Sequence, residues 1–147
     1  MLTKKLHSIV EIPVIKDNKF KYNEEVYNLQ ELTKTEVTDI WISEENSKDW
    51  VLSIQKNTIY HANIKPDFLQ YALINELLCP DVKGEKGLCL SALKEELWAV
   101  PDNILPSYLL WRRDFFNNMY KYYTEDYEDK FYAQEMKSCY EYIDTLV

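Results

Sequence analysis

Glycine is almost missing from this chain: Gly84 and Gly87 are the only two in 147 residues. Two glycines cannot build the Gly-x-Gly-x-x-Gly turn of a dinucleotide site. Nor does Gly84-Glu85-Lys86-Gly87 have the spacing of a phosphate-cradling loop or a Ser or Thr after it. Histidine is equally scarce, with His7 and His61 alone, so a Ser or Cys triad would have to rest on one of two isolated imidazoles, and no Gly-x-Ser-x-Gly elbow accompanies them. The cysteines are three, Cys79, Cys89 and Cys139. An odd number leaves a thiol over from any intrachain disulfide framework and favours a reducing, cytoplasmic setting. Cys79, Cys89 and His61 are the only soft donors near one another in sequence, and their spacing matches no zinc knuckle. No catalytic residue, metal or cofactor is therefore expected.

Long apolar runs are also lacking: charges interrupt each one well before the roughly 20 residues that cross a bilayer. The opening Met1-Leu2-Thr3-Lys4-Lys5 is followed by His7, Glu11 and Pro13 and by no small-residue cleavage site, so a signal peptide is not expected. Arginine is limited to Arg112 and Arg113, and acids exceed Lys and Arg by 25 to 17, a formal charge of −8. That balance opposes direct binding to nucleic acid or anionic lipid, which depends on Lys and Arg displacing counterions. It favours a basic protein partner.

What the chain has in excess is aromatic surface: 12 tyrosines, five phenylalanines and four tryptophans. Such side chains suit both a thick core and a binding face, because each joins a large apolar area to few rotatable bonds and, in Tyr and Trp, a polar handle. With 46% hydrophobic and 29% charged residues, the composition is that of one packed domain spanning residues 1–147.

Hydrophobic periodicity changes character near Ile64. Before it, Ile9–Ile15 reads as a strand turning at Lys16–Lys19 into Phe20-Lys21-Tyr22, with Pro13 favouring an edge or bulge. Val37–Ile42 reads as a second strand, and Trp50–Ile54 with Thr58–His61 as a hairpin around Lys56-Asn57. After it, Pro66 opens a helix to about Leu78, stopped by Pro80. Leu90–Ala99 forms a short helix, and Pro106 opens a longer one to Tyr123, buried on most faces. Thr124 is placed to cap a last helix whose Tyr132, Met136, Cys139, Ile143 and Leu146 make one apolar seam. The fold expected is α+β: an N-terminal antiparallel sheet over about residues 6–64 packed against three to four C-terminal helices.

Two constellations carry the functional expectation. Trp111-Arg112-Arg113 sets both arginines beside aromatics, where a guanidinium can stack or take an anion bidentately. Glu125, Asp126, Tyr127, Glu128 and Asp129 set four carboxylates around an aromatic in a segment, residues 125–147, holding seven acids against two lysines. The bland alternative is that these acids merely start the last helix, whose macrodipole favours them. Other acidic features, Glu44-Glu45, Glu95-Glu96 and Pro80-Asp81-Val82-Lys83, read as solvated charges and a turn. The sequence thus favours a small acidic protein-binding module, of the kind an inhibitor, immunity factor or adaptor would be, engaging a basic surface through Trp111, Arg112, Arg113 and the acidic cluster. Two alternatives stand beside it. One is a small enzyme whose arginines hold a phosphorylated or anionic substrate, with His61 or a carboxylate as acid or base. The other is a structural subunit forming a homodimer through the C-terminal seam.

Overall fold

The computed structural model describes residues 12–22, 24–32, 50–55, 57–62, 64–78, 86–126 and 128–147. Among the described residues, four strands, β1 (Lys19–Tyr22), β2 (Glu25–Glu31), β3 (Trp50–Gln55) and β4 (Thr58–Ala62), precede four α-helices. These are α1 (Pro66–Leu78), α2 (Leu88–Ala99), α3 (Leu105–Lys121) and α4 (Lys130–Leu146), with a π-helical turn (Tyr122–Asp126) extending α3. The class is α+β, as the change of periodicity implies.

Asp17 and Asn18 form the two-residue turn before β1, both with positive φ (53° and 59°), a conformation their short polar side chains tolerate. Lys16 and Lys19 exchange backbone hydrogen bonds of 2.8 and 3.0 Å across it. The turn lies where expected, but residues 12–15 of its incoming arm run outside any ladder, and Ile9–Glu11 lie outside the described residues. The true partner of β1 is β2, antiparallel to it. β2 escapes a search for apolar runs because only Leu29 is buried and Val26 faces solvent.

The Trp50–Gln55 and Thr58–Ala62 hairpin forms as expected, with an irregularity between Val51 and Ile54. The sheet order is β1-β2-β4-β3, and the β2–β4 pairing is parallel. Two of the three pairings are therefore antiparallel. The third arises because the chain leaves β2 for the far edge, lays β3 there, and returns β4 into the gap in the direction of β2. The Val37–Ile42 candidate falls outside the described residues.

One face of the sheet contributes Phe20, Tyr22, Leu29 and Ile59 to a continuous core shared with all four helices. Pro66 starts α1 where its missing N–H costs nothing, and the Lys65 carbonyl accepts from Phe68 and Leu69 (2.9 and 3.1 Å). In α1 the buried residues Phe68, Leu69, Tyr71, Ala72, Leu73 and Ile74 surround the helix. In α3 they follow one stripe, Tyr108, Leu109, Arg112, Phe115, Phe116 and Met119, while Leu110 and Asp114 are exposed. The aromatic density of α3 thus overstates its burial, because Trp111 and Tyr120 lie at the margin of that stripe.

The last helix is capped by Asp129, not Thr124. The Asp129 carboxylate accepts from the backbone N–H of Tyr132 at 3.0 Å, whereas Thr124 lies inside the π turn and donates its hydroxyl to the Tyr120 carbonyl at 2.7 Å. Asp129→Ala is expected to lower stability by about 1 kcal/mol, and Asp129→Asn by much less, measured by urea unfolding. Met136, Cys139 and Ile143 of the seam are buried in the chain's own core, with Tyr132 and Leu146 packed at its edge.

Candidate functional site

Two arrangements of charged groups emerge, one interior and one on the surface. The interior one is built on the stripes of α2 and α3. Glu96, with no exposed surface, and Arg112, 3% exposed, face each other across the helix pair. Arg112 donates Nε–H and Nη2–H to the two Glu96 oxygens at 2.8 and 2.9 Å, and the Tyr108 hydroxyl donates to the same carboxylate. The guanidinium carbon lies 4.5, 4.8 and 5.1 Å from the ring centres of Phe115, Phe116 and Trp111. Burial alone would disfavour charge on Arg112, but Glu96 and then Tyr108 outweigh it and hold the guanidinium protonated. Burial, then the charge on Glu96, pushes the Tyr108 hydroxyl well above its ordinary range.

This placement corrects three expectations. Arg112 does not face a partner or a substrate, because it lies on the apolar stripe of α3 and its charge is spent on Glu96. Trp111 packs against Phe68, Tyr108 and Phe115, with ring centres 5.2, 5.4 and 5.8 Å away. Glu96 is a buried ion-pair member and not a solvated charge. The two arginines are therefore not presented together to an anion: Arg113 alone of the pair reaches the surface, 30% exposed, where it meets Asp144 at 3.2 Å. His61 is buried in β4 opposite Glu31 of β2, its imidazole pulled below the ordinary range by burial, against which Glu31 acts only partly. Glu44-Glu45, Cys79 and the Pro80–Lys83 turn lie outside the described residues. Cys89 and Cys139 are buried thiols. No group of three His, Cys, Asp or Glu side chains able to hold a metal occurs among the described residues, and no helix among them is long and apolar enough to cross a membrane.

The surface arrangement is the junction between α3 and α4. Here the backbone widens into the π turn and then reverses through Glu128, which adopts the left-handed conformation (φ 56°). For a glutamate that costs roughly 1–2 kcal/mol. The Asp129 N–H closes the junction by donating to the Tyr123 carbonyl at 2.8 Å, and the Asp129 carbonyl accepts from Ala133 at 2.9 Å. Tyr123 stacks on Tyr132 (5.2 Å, 24°) and meets Tyr122 edge-on at 5.0 Å, while Phe131 meets Tyr132 at 5.5 Å. These four rings are each partly exposed. Burial foremost, then Tyr122, Tyr132, Glu76 and Asp129, raises the Tyr123 hydroxyl far above its ordinary range.

Glu125 and Glu128 stand exposed beside the rings. Asp126 belongs to the π turn, and Tyr127 lies outside the described residues. Of the acids expected only to start α4, Asp129 alone does so: Glu125 and Glu128 precede the cap. Not every C-terminal acid is on the surface, since Glu135, 3% exposed, turns inward and accepts the Gly87 N–H at 2.9 Å. It thereby serves the uncapped start of α2, whose Gly87 has φ 86° and no side chain of its own to offer. The ring cluster was hidden in sequence because Tyr122 and Tyr123 read as the tail of a buried helix. Comparison of the chain with protein-family models, curated proteins and solved structures finds no match.

Proposed function

We propose that this chain is a protein-binding module that engages a basic partner through the α3–α4 junction, with Glu125, Glu128 and Asp129 supplying charge and the Tyr122–Tyr123–Phe131–Tyr132 rings supplying contact area. The observation that carries this reading is the position of Glu125 and Glu128: exposed, ahead of the helix cap, and held by a π turn and a left-handed residue beside stacked aromatics. Backbone departures of this kind cost free energy and recur at functional sites. A cluster needed only for the helix dipole would lie within the first turn of α4 and would need neither departure. Aromatic anchors bordered by like charges suit a basic surface, because the rings give desolvated contact while the carboxylates steer approach and set specificity. An inhibitor, immunity factor or adaptor would use such a face in a reducing compartment.

The test is affinity capture from native extract at low and moderate salt, comparing wild type with Glu125→Gln/Asp126→Asn/Glu128→Gln/Asp129→Asn. Asn at 129 keeps the cap, so the variant should retain its fold by circular dichroism. The expected result is a basic partner held by wild type, weakened by salt and lost from the variant. Equal retention by both proteins would refute the acidic face as the contact.

A further inference from the structure

The exposed aliphatic side chains gather at one edge of the sheet. Ile12, Val14 and Val26 are 44%, 74% and 55% exposed, three of the five large hydrophobics that stand in solvent among the described residues. Ile12 and Val14 alternate with the inward Pro13 and Ile15 and lead to the turn at Asp17-Asn18, across which Lys16 bridges to Lys19. Val26 is the cross-strand partner of Lys21. In β1 the exposed Lys19 and Lys21 alternate with the buried Phe20 and Tyr22, which enter the core shared with the helices, so the two lysines point away from the helical layer.

Lys16, Lys19 and Lys21 are all exposed and form no ion pair among the described residues. The acids close to them in sequence lie elsewhere. Asp17 and Glu24 occupy turns with left-handed backbone, and Glu25 stands opposite the inward Tyr22, where it accepts from the Tyr27 hydroxyl at 2.9 Å. Lysine on an edge strand serves to repel a further strand, but that role needs no exposed aliphatics beside it. The patch is basic and aliphatic in a chain that is otherwise acidic. It is the counterpart of the α3–α4 junction, where Glu125 and Glu128 stand exposed beside four partly exposed rings. One face lies on the side of the sheet away from the helices and the other is carried by the helices, so a single molecule cannot bring its own two faces together.

We propose that the basic partner of the junction is a second copy of this chain, whose Val14, Lys19, Lys21 and Val26 receive Glu125, Glu128 and the rings, an inference that rests on the junction being the acidic contact. The arrangement is head-to-tail. Each molecule offers its basic face to one neighbour and its acidic face to another, so open chains or closed rings form and not a two-fold dimer. Each copy carries a charge of −8, which repels at long range, whereas the facing carboxylates and ammonium groups attract at contact. With a screening length of about 8 Å at physiological ionic strength, the long-range repulsion is largely removed and the contact attraction is kept. Self-association is expected to be strongest near that ionic strength and to weaken toward about 1 M salt, where the screening length is about 3 Å.

Sedimentation velocity of the full-length protein over a concentration series reads this directly. Wild type is expected to sediment above the mass of one chain, 17.6 kDa, and past that of two chains as the concentration rises. Lys19→Glu/Lys21→Glu keeps the junction intact and Glu125→Gln/Glu128→Gln keeps the basic face intact, and each is expected to associate about tenfold more weakly. All four positions are exposed, so both variants should unfold at the wild-type temperature. Mixed in equal amounts, the two variants should form a complex that stops at the mass of two chains, because each supplies the face the other lacks and both outer ends are blocked. Wild type that keeps the mass of one chain up to about 1 mM, variants that associate as wild type does, or a mixture that stays at the mass of one chain would overturn the second copy as partner. Capture of a basic protein from extract by wild type and not by the four-acid variant would then still uphold the junction, so the two readings fail separately.

Discussion

Replacing Arg112 with methionine is expected to lower the unfolding free energy by about 3–5 kcal/mol. Methionine preserves the apolar stem that packs on Phe115 and Phe116, so the loss comes from the charge left behind. Glu96 has no exposed surface and would remain in the core with the Tyr108 hydroxyl as its one described partner. It would have to take up a proton or draw in water. For a chain of this length the loss corresponds to a fall in melting temperature of roughly 10 °C. The triple variant Arg112→Met/Glu96→Leu/Tyr108→Phe is expected to recover most of the loss, because apolar groups of similar volume replace the whole network and no polar atom is stranded. Urea unfolding of the single, double and triple variants gives the coupling directly. A loss below about 1 kcal/mol for Arg112→Met would mean that the pair behaves as a surface ion pair.

The second large effect is a reversal with pH. Glu76 has a folded-state value of about 8 against an ordinary 4.5, so the folded chain holds this proton more tightly than the unfolded chain. The contribution to stability is fully present below pH 4.5 and is lost as the pH rises to about 8. The slope is at most about 1.4 kcal/mol per pH unit. Glu76→Gln cannot ionise and lacks this slope. The variant should match wild type near pH 4 and exceed it by roughly 2–4 kcal/mol at pH 9, the gain being moderated by partial exposure and by the attraction of the Arg112 charge. Parallel stability curves for the two proteins across this range would show that Glu76 is not held away from water.

How legible these features are in the sequence depends on how local their causes are. Pro66, Pro101 and Pro106 restrict the backbone wherever they stand, and the helices begin and end around them. The Asp17-Asn18 turn and the β3–β4 hairpin at Asn57 follow from residues that tolerate tight turns. Helical spacing also contains the interior ion pair: Glu96 continues the stripe Cys89, Ala92, Leu93, and Arg112 the stripe Tyr108, Leu109, Phe115. A charge on an apolar stripe must be paired inside, and reading Glu96 by its neighbour Glu95 and Arg112 by its neighbour Arg113 obscures this.

The acidic junction is legible only in part. Its composition is plain in Glu125–Asp129, but the position of the cap is not, since both Thr124 and Asp129 are good N-cap residues. The choice falls to Asp129 because α3 continues past Lys121 as a wider turn, packing Tyr123 on Tyr132 across the junction.

The sequence by itself determines the α+β class, the helices α1–α4, the β3–β4 hairpin and the concentration of acid near the C-terminus, because each follows from periodicity, turn chemistry or charge within a short stretch. Tertiary structure alone decides the parallel β2–β4 pairing, the burial of Glu96 with Arg112, the inward turn of Glu135 and the consumption of the α4 seam. Each of these depends on which distant segment reaches a given face, and the free energy of a buried charge or strand edge is set by that neighbour and not by the residues beside it in the chain.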